Sequence, residues 1–184
     1  MRALVFNCCP VRDGATAELV RVIAEQISGR FETVTACIAD YDFRFCTGCR
    51  SCHETGVCSL PEDGVSEVMA VFAAADLIVL VSPSYWADVP GQFKAFIDRC
   101  TPWCNTHTPH ASLSSGKRGY AIALRTGPGM PECEQILRTV SHFYGHMEIA
   151  YCGGLGLCAV EYKEQVEPHR AEIEAFCGKI RSAV

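Results

Sequence analysis

Five times along this chain, a short apolar run rich in β-branched residues or Leu gives way to a stretch with helical apolar spacing. Residues 76–81 are the clearest such run: Leu77-Ile78-Val79-Leu80-Val81 carries no polar residue after Asp76, as in a strand buried on both faces. Residues 16–27 are the clearest helix, with Leu19, Val20, Ile23, Ala24 and Ile27 on one face and Gly29 as a stop. Strands are also expected over 2–6, 31–38, 119–124 and near 147–151. Helices are expected over 64–74, 91–99, 131–144 (opened by Pro131) and 161–181. The alternation predicts an α/β fold, a doubly wound parallel sheet of five strands with helices on both faces and right-handed crossovers. Residues 1–184 hold no second core-forming segment, internal repeat or low-complexity linker, so a single domain is expected. Ligands in such a sheet sit beyond the carboxyl ends of the strands, which directs attention to the loops after strands one, three and four.

Composition narrows the possible partners. The net charge of −5 and the absence of a Lys/Arg run argue against nucleic acid and against an anionic membrane surface. The longest apolar stretch, 71–81, is interrupted by Asp76 and is too short to span a bilayer. The apolar segment before Cys8 is too short for a signal peptide, so a cytoplasmic protein is expected. Thirteen cysteines are many for that compartment, and an odd number fits poorly with a closed disulfide framework. Clustered cysteines are therefore read as metal or redox groups, and the scattered Cys37, Cys133, Cys158 and Cys177 as small buried hydrophobes.

After strand one the chain reads Asn7-Cys8-Cys9-Pro10-Val11-Arg12-Asp13-Gly14-Ala15-Thr16. A loop feeding a helix N-terminus offers free N–H groups and a positive dipole end, an anion site in waiting. Thr16 could cap the helix or donate to a phosphate; an ordinary strand-to-helix turn reads equally well. After strand three, Ser82-Pro83-Ser84-Tyr85-Trp86-Ala87-Asp88-Val89-Pro90 places two aromatics on a Pro-bounded loop, able to shelter a flat ring.

These segments are similar to those of the NADPH-dependent FMN reductase family of the flavodoxin superfamily. The first resembles its Gly-Ser-Pro-Arg…Gly-Asn-Thr phosphate loop. The second, through Gly91-Gln92-Phe93-Lys94-Ala95-Phe96-Ile97-Asp98-Arg99, closely resembles its Tyr-Trp…Gly-Gln-x-Lys-Ala-Phe-Ile-Asp-Arg segment. Leu124-Arg125-Thr126-Gly127-Pro128-Gly129 is loosely similar to its third flavin loop, and Cys152-Gly153-Gly154 to a Gly-Gly turn after the last strand. The resemblance implies a flavodoxin-like fold binding FMN. Cys9, Val11, Arg12, Ala15 and Thr16 would then surround the phosphate. Pro83, Ser84, Tyr85, Trp86 and Ala87 would face the redox edge of the ring, and Thr126 and Gly127 its pyrimidine side. Cys8 and Cys9 replace Gly-Ser, Val11 replaces Arg and Ala15 replaces Asn, and a thiol donates more weakly than a hydroxyl. Phosphate binding would thus lean on backbone N–H groups, Thr16 and Arg12. The resemblance also implies a homodimer or homotetramer.

Cys46-Thr47-Gly48-Cys49-Arg50-Ser51-Cys52 is C-x2-C-x2-C, with Cys58 following after five residues. Such spacing is that of runs holding an iron–sulfur cubane; structural zinc more often joins two Cys pairs across a longer insert. The arrangement resembles the iron–sulfur flavoproteins of the same family, in which four such cysteines ligate a [4Fe–4S] cluster. A bare loop and a zinc loop remain open. Cys100, Cys104, His107 and His110 form a second grouping, read as a substrate-side lid with incidental Cys and His. His142 and His146 are read as solvent-facing.

Three functions stay in play. One is an FMN oxidoreductase or electron-transfer protein in which flavin and cluster exchange electrons with a small-molecule or ferredoxin-like partner. Another is a cluster-free NAD(P)H-dependent reductase of FMN or quinones; with no Gly-x-Gly-x-x-Gly after strand one, the nicotinamide would stack only transiently. The last is a non-enzymatic module with a zinc-bound cysteine loop.

Overall fold

The computed structural model describes residues 1–183. Five parallel strands, β1 (Arg2–Asn7), β2 (Glu32–Cys37), β3 (Leu77–Pro83), β4 (Arg118–Leu124) and β5 (Ala150–Leu157), form one sheet in the order β2-β1-β3-β4-β5. This is the flavodoxin-like order, with its switch point between β1 and β3. Leu77 to Val81 are fully buried, as their unbroken apolar character requires. Each such side chain contributes about 1.5–3 kcal/mol of burial free energy.

Two cores flank the sheet. On one face α1 (Ala15–Ser28) packs beside α6 (Arg170–Ser182), with Leu19, Ile23, Ile173 and Phe176 against Val5, Val79 and Ile122. On the other lie α3 (Gly64–Ala74), α4 (Gly91–Arg99) and α5 (Pro131–His146), where Phe6, Phe72, Phe93, Phe96 and Phe143 interlock. A short helix α2 (Ser51–Thr55) sits inside the cysteine loop. No helix among the described residues is long and apolar enough to cross a membrane.

Three boundaries differ from expectation. α5 runs on to His146, and a turn with Glu148 at φ 58° follows, so β5 starts at Ala150 rather than near 147. The register slips beside Gly119, and Gly153 takes φ 142°, so Cys152-Gly153-Gly154 lies inside β5 instead of forming a turn after it. A Cβ at Gly154 would stand 2.4 Å from the Tyr151 hydroxyl and 2.7 Å from Leu137 Cδ2, so any side chain there requires those two to move. The C-terminal helix is split: a 3-10 segment covers Lys163–His169, and the regular helix begins only after Pro168, which has no N–H to donate. Of the scattered cysteines, Cys133 and Cys177 are buried, whereas Cys37 and Cys158 are partly exposed because they end β2 and follow β5.

Candidate functional site

The loop after β1 is organised by Asn7. Its Oδ1 accepts from the Cys9 N–H at 2.9 Å and its Nδ2 donates to the Val11 carbonyl at 3.3 Å. The Cys9 thiol accepts from the Val11 N–H at 3.4 Å. The helix cap is Gly14, extended and with no side-chain bond, so the first-turn N–H groups of α1 have no capping oxygen. Thr16 is therefore not the cap. It lies in the first turn, 4% exposed.

Beyond the carboxyl ends of β1, β3 and β4 lies a concavity of about 160 Å³. Its walls include Cys9, Val11, Ala15, Thr16, Pro83, Ser84, Tyr85 and Thr126 among the expected residues. Arg12 is absent from it: its guanidinium turns to the Asp40 carboxylate and the Ala39 carbonyl. Val11 cannot replace that charge. Trp86 and Ala87 form the tip of a hairpin closed by Tyr85 N–H to the Asp88 carbonyl (2.8 Å) and the reverse bond (3.1 Å). Both tip residues are left-handed, at φ 53° and 62°, and the Trp86 side chain is fully exposed. Gly127 lies on the adjoining loop, its carbonyl accepting from the Ala159 N–H at 3.1 Å.

Sequence reasoning passed over two residues here. Arg125 lines the concavity, with Nη2 3.1 Å from Glu132 and Nη1 3.2 Å from the Gly129 carbonyl. Its Nε is buried without a partner. Glu132, in the first turn of α5, also accepts the Ser84 hydroxyl at 2.6 Å, joining the loop after β3 to α5. That contact has no local sequence signal, because its partners are far apart in the chain. Asn7, an Asx residue at a strand end, did carry one. The uncapped helix start and the unsatisfied guanidinium nitrogen suit a phosphate group.

The four loop cysteines lie apart from this concavity in sequence but in one segment. Gly48, Arg50 and Gly56, at φ 67°, 62° and 72°, turn the chain around α2. Cys46 Sγ accepts from the Gly48 N–H at 3.5 Å, and Cys49 Sγ lies 3.1 Å from the Ser59 hydroxyl. The bonds to Ser59, to the Ser51 N–H and to Thr47 pull the Cys49 thiol below its ordinary range. Burial, and then the neighbouring Cys58, Cys46 and Cys49, push Cys52 up. Among the described residues no three His, Cys, Asp or Glu side chains close on a single metal ion. In kind and number the donors fit a cubane, whose irons each take one thiolate and so hold the thiols farther apart than one ion does.

The second grouping does not converge. Cys100 is buried, its thiol 3.9 Å from Met69 Sδ; Cys104 bonds to Thr106. His107 stacks on His53 of α2 at 4.5 Å, and Pro109 lies against Gly56. That stretch thus packs on the cysteine loop.

Known proteins are consistent with this geometry. An iron-sulfur flavoprotein of Archaeoglobus fulgidus is 26% identical over 98% of this chain and 83% of its own length. An FMN-dependent NADH:quinone oxidoreductase of Polaromonas naphthalenivorans is 28% identical over 61% of this chain, which spans only 58% of that protein. The NAD(P)H:quinone oxidoreductase of Methanothermobacter marburgensis superposes with a TM-score of 0.71 at 13% identity, over 96% of this chain and 94% of its own, a likeness of fold. The model of the NADPH-dependent FMN reductase family matches residues 1–152, and the chain belongs to that family of flavin-dependent oxidoreductases.

Proposed function

We propose that the protein is an FMN oxidoreductase that takes reducing equivalents from NAD(P)H and delivers them through an iron–sulfur centre or directly to a small acceptor such as a quinone. One observation carries the flavin reading: an uncapped α1 N-terminus and the Tyr85–Asp88 hairpin meet at the carboxyl edge of the sheet. In this reading the N–H groups after Gly14 and the Thr16 hydroxyl hold the phosphate, and Pro83 to Ala87 with Thr126 and Gly127 border the ring. Bound FMN supplies hydride acceptance and single-electron release. The chain's part is to orient it and to leave one face open beside Trp86. The small concavity implies that much of the ring projects outward, which supports a dimer or tetramer whose partner covers it.

Cys46, Cys49, Cys52 and Cys58 would hold a [4Fe–4S] cluster, which supplies one-electron transfer when bound. Their spacing and the iron–sulfur flavoprotein relative support this. The cluster-free reductase is the second reading, favoured by the quinone oxidoreductase relative. Anaerobic purification with flavin identification and iron and zinc analysis separates them. FMN with stoichiometric iron is expected; FMN without iron, even after reconstitution with iron and sulfide, leaves the second reading; no FMN overturns both.

A further inference from the structure

A cavity of about 540 Å³ lies between α4 and α5, away from the loop after β1. Its walls include Lys94, Asp98, Cys104, Arg138, His142 and His146. His142 and His146 are four residues apart on the last turn of α5, and their Nε2 atoms stand 2.9 Å from each other with the rings nearly perpendicular, at 85°. His142 is exposed, as the sequence leads one to expect, whereas His146 is half-buried, and both line the cavity.

Imidazoles at i and i+4 share one helix face, the spacing by which a helix offers two nitrogens to one ion. Two nitrogens each about 2.0–2.1 Å from an ion are about 2.9 Å apart at the right angle of an octahedral site and about 3.3 Å apart in a tetrahedral one. The Nε2 separation matches the octahedral span. The ring closure also costs side-chain entropy, which a shared ligand offsets. Two further features favour a cation here. The pair lies at the C-terminal end of α5, where the helix dipole is negative. The 104–105 segment is docked onto that end, with the Asn105 N–H on the His146 carbonyl at 3.0 Å and Asn105 Nδ2 on the Gly145 carbonyl at 3.2 Å. This brings the Cys104 thiol to the same rim. Lys94 is neutralised by Asp98, while Arg138, one turn before His142, opposes added positive charge and weakens the site.

We propose that His142 and His146 chelate one borderline divalent transition-metal ion of the Zn²⁺, Co²⁺ or Ni²⁺ class, with its remaining coordination positions open to the cavity. This site is separate from the four-cysteine loop and does not depend on the flavin reading.

Cobalt is the probe, because imidazole and thiolate ligation to Co²⁺ give different absorption spectra. Full-length protein with its flavin is dialysed anaerobically against Co²⁺ and compared with His142→Ala, His146→Ala and the double variant. The expected result is one equivalent fewer in each variant, with flavin content and circular dichroism unchanged. The same loss is expected in a background where Cys46, Cys49, Cys52 and Cys58 are Ser, which removes competing thiolates. Equal cobalt uptake by wild type and variants in both backgrounds overturns the proposal and leaves the pair as an imidazole–imidazole hydrogen bond only.

Discussion

Arg99 Nη1 donates to Asp63 Oδ2 at 2.8 Å and to the Arg44 carbonyl at 2.7 Å, so one guanidinium at the end of α4 ties together both ends of the cysteine segment. Arg99 is almost wholly buried. Asp63 also accepts from the Arg44 N–H at 3.1 Å and, as the cap of α3, from the Val65 N–H at 3.2 Å. Burial opposes ionisation of Asp63, but these donors outweigh it and hold the carboxyl below its ordinary value.

Asp63→Asn leaves the Arg99 charge buried without its counter-ion. The expected cost near neutral pH is about 3–5 kcal/mol in urea unfolding. Because the folded pKa is depressed, the stability Asp63 supplies is fully present above its unfolded value and is lost as pH falls through the folded one. The gap between wild type and variant should shrink on acidification. A gap that is small at neutral pH, or that widens in acid, would refute the anchor.

Thiol reactivity should follow the environment of each cysteine. Cys49 is exposed and its thiol is pulled down by Ser59, so in protein freed of metal by a chelator it should be alkylated first by iodoacetamide at neutral pH. Cys133, pushed up to about 11 mainly by burial, and the fully buried Cys8 and Cys100 should react only on unfolding. Ser59→Ala should slow Cys49 labelling. Peptide mapping over a time course reads the order, and early modification of Cys133 would contradict it.

Thr16→Val removes the one hydroxyl in the first turn of α1 while keeping its volume. FMN affinity should fall by about 1–3 kcal/mol, the cost of an unpaired polar partner. Fluorescence titration of the apoprotein with FMN measures it. Unchanged affinity would take the phosphate role away from Thr16.

Cys49→Ala should abolish iron uptake on anaerobic reconstitution yet leave FMN content and the circular dichroism of the sheet as they are, since the loop lies outside both cores. Iron bound at the wild-type ratio would show that these cysteines do not hold a cluster.

The sheet was legible because its signal is local and repeated. Five residues such as Leu77 to Val81 have no stable place except between two helical layers, and the βαβ rule then leaves few topologies. The loop after β1, the Tyr85–Trp86 hairpin and the cysteine spacing were legible for a related reason: each is a contiguous segment whose chemistry travels with it. Gly153 and Gly154 misled because a Gly-Gly pair reads as a turn, while here Gly153 takes a positive φ inside β5 and Gly154 makes room for the Tyr151 hydroxyl and Leu137.

Relations between side chains distant in sequence came only with folding. Nothing local says that Arg12 turns to Asp40 while Arg125 reaches the concavity, or that Arg99 joins Arg44 to Asp63. Nor does an i, i+4 histidine pair reveal whether it diverges into water or closes to 2.9 Å beside a cavity. Periodicity specifies which face of an element is buried. The direction of a long charged side chain is settled by the partners that three-dimensional packing brings within a few ångströms, since coulombic and hydrogen-bond energies act over that range and not along the chain.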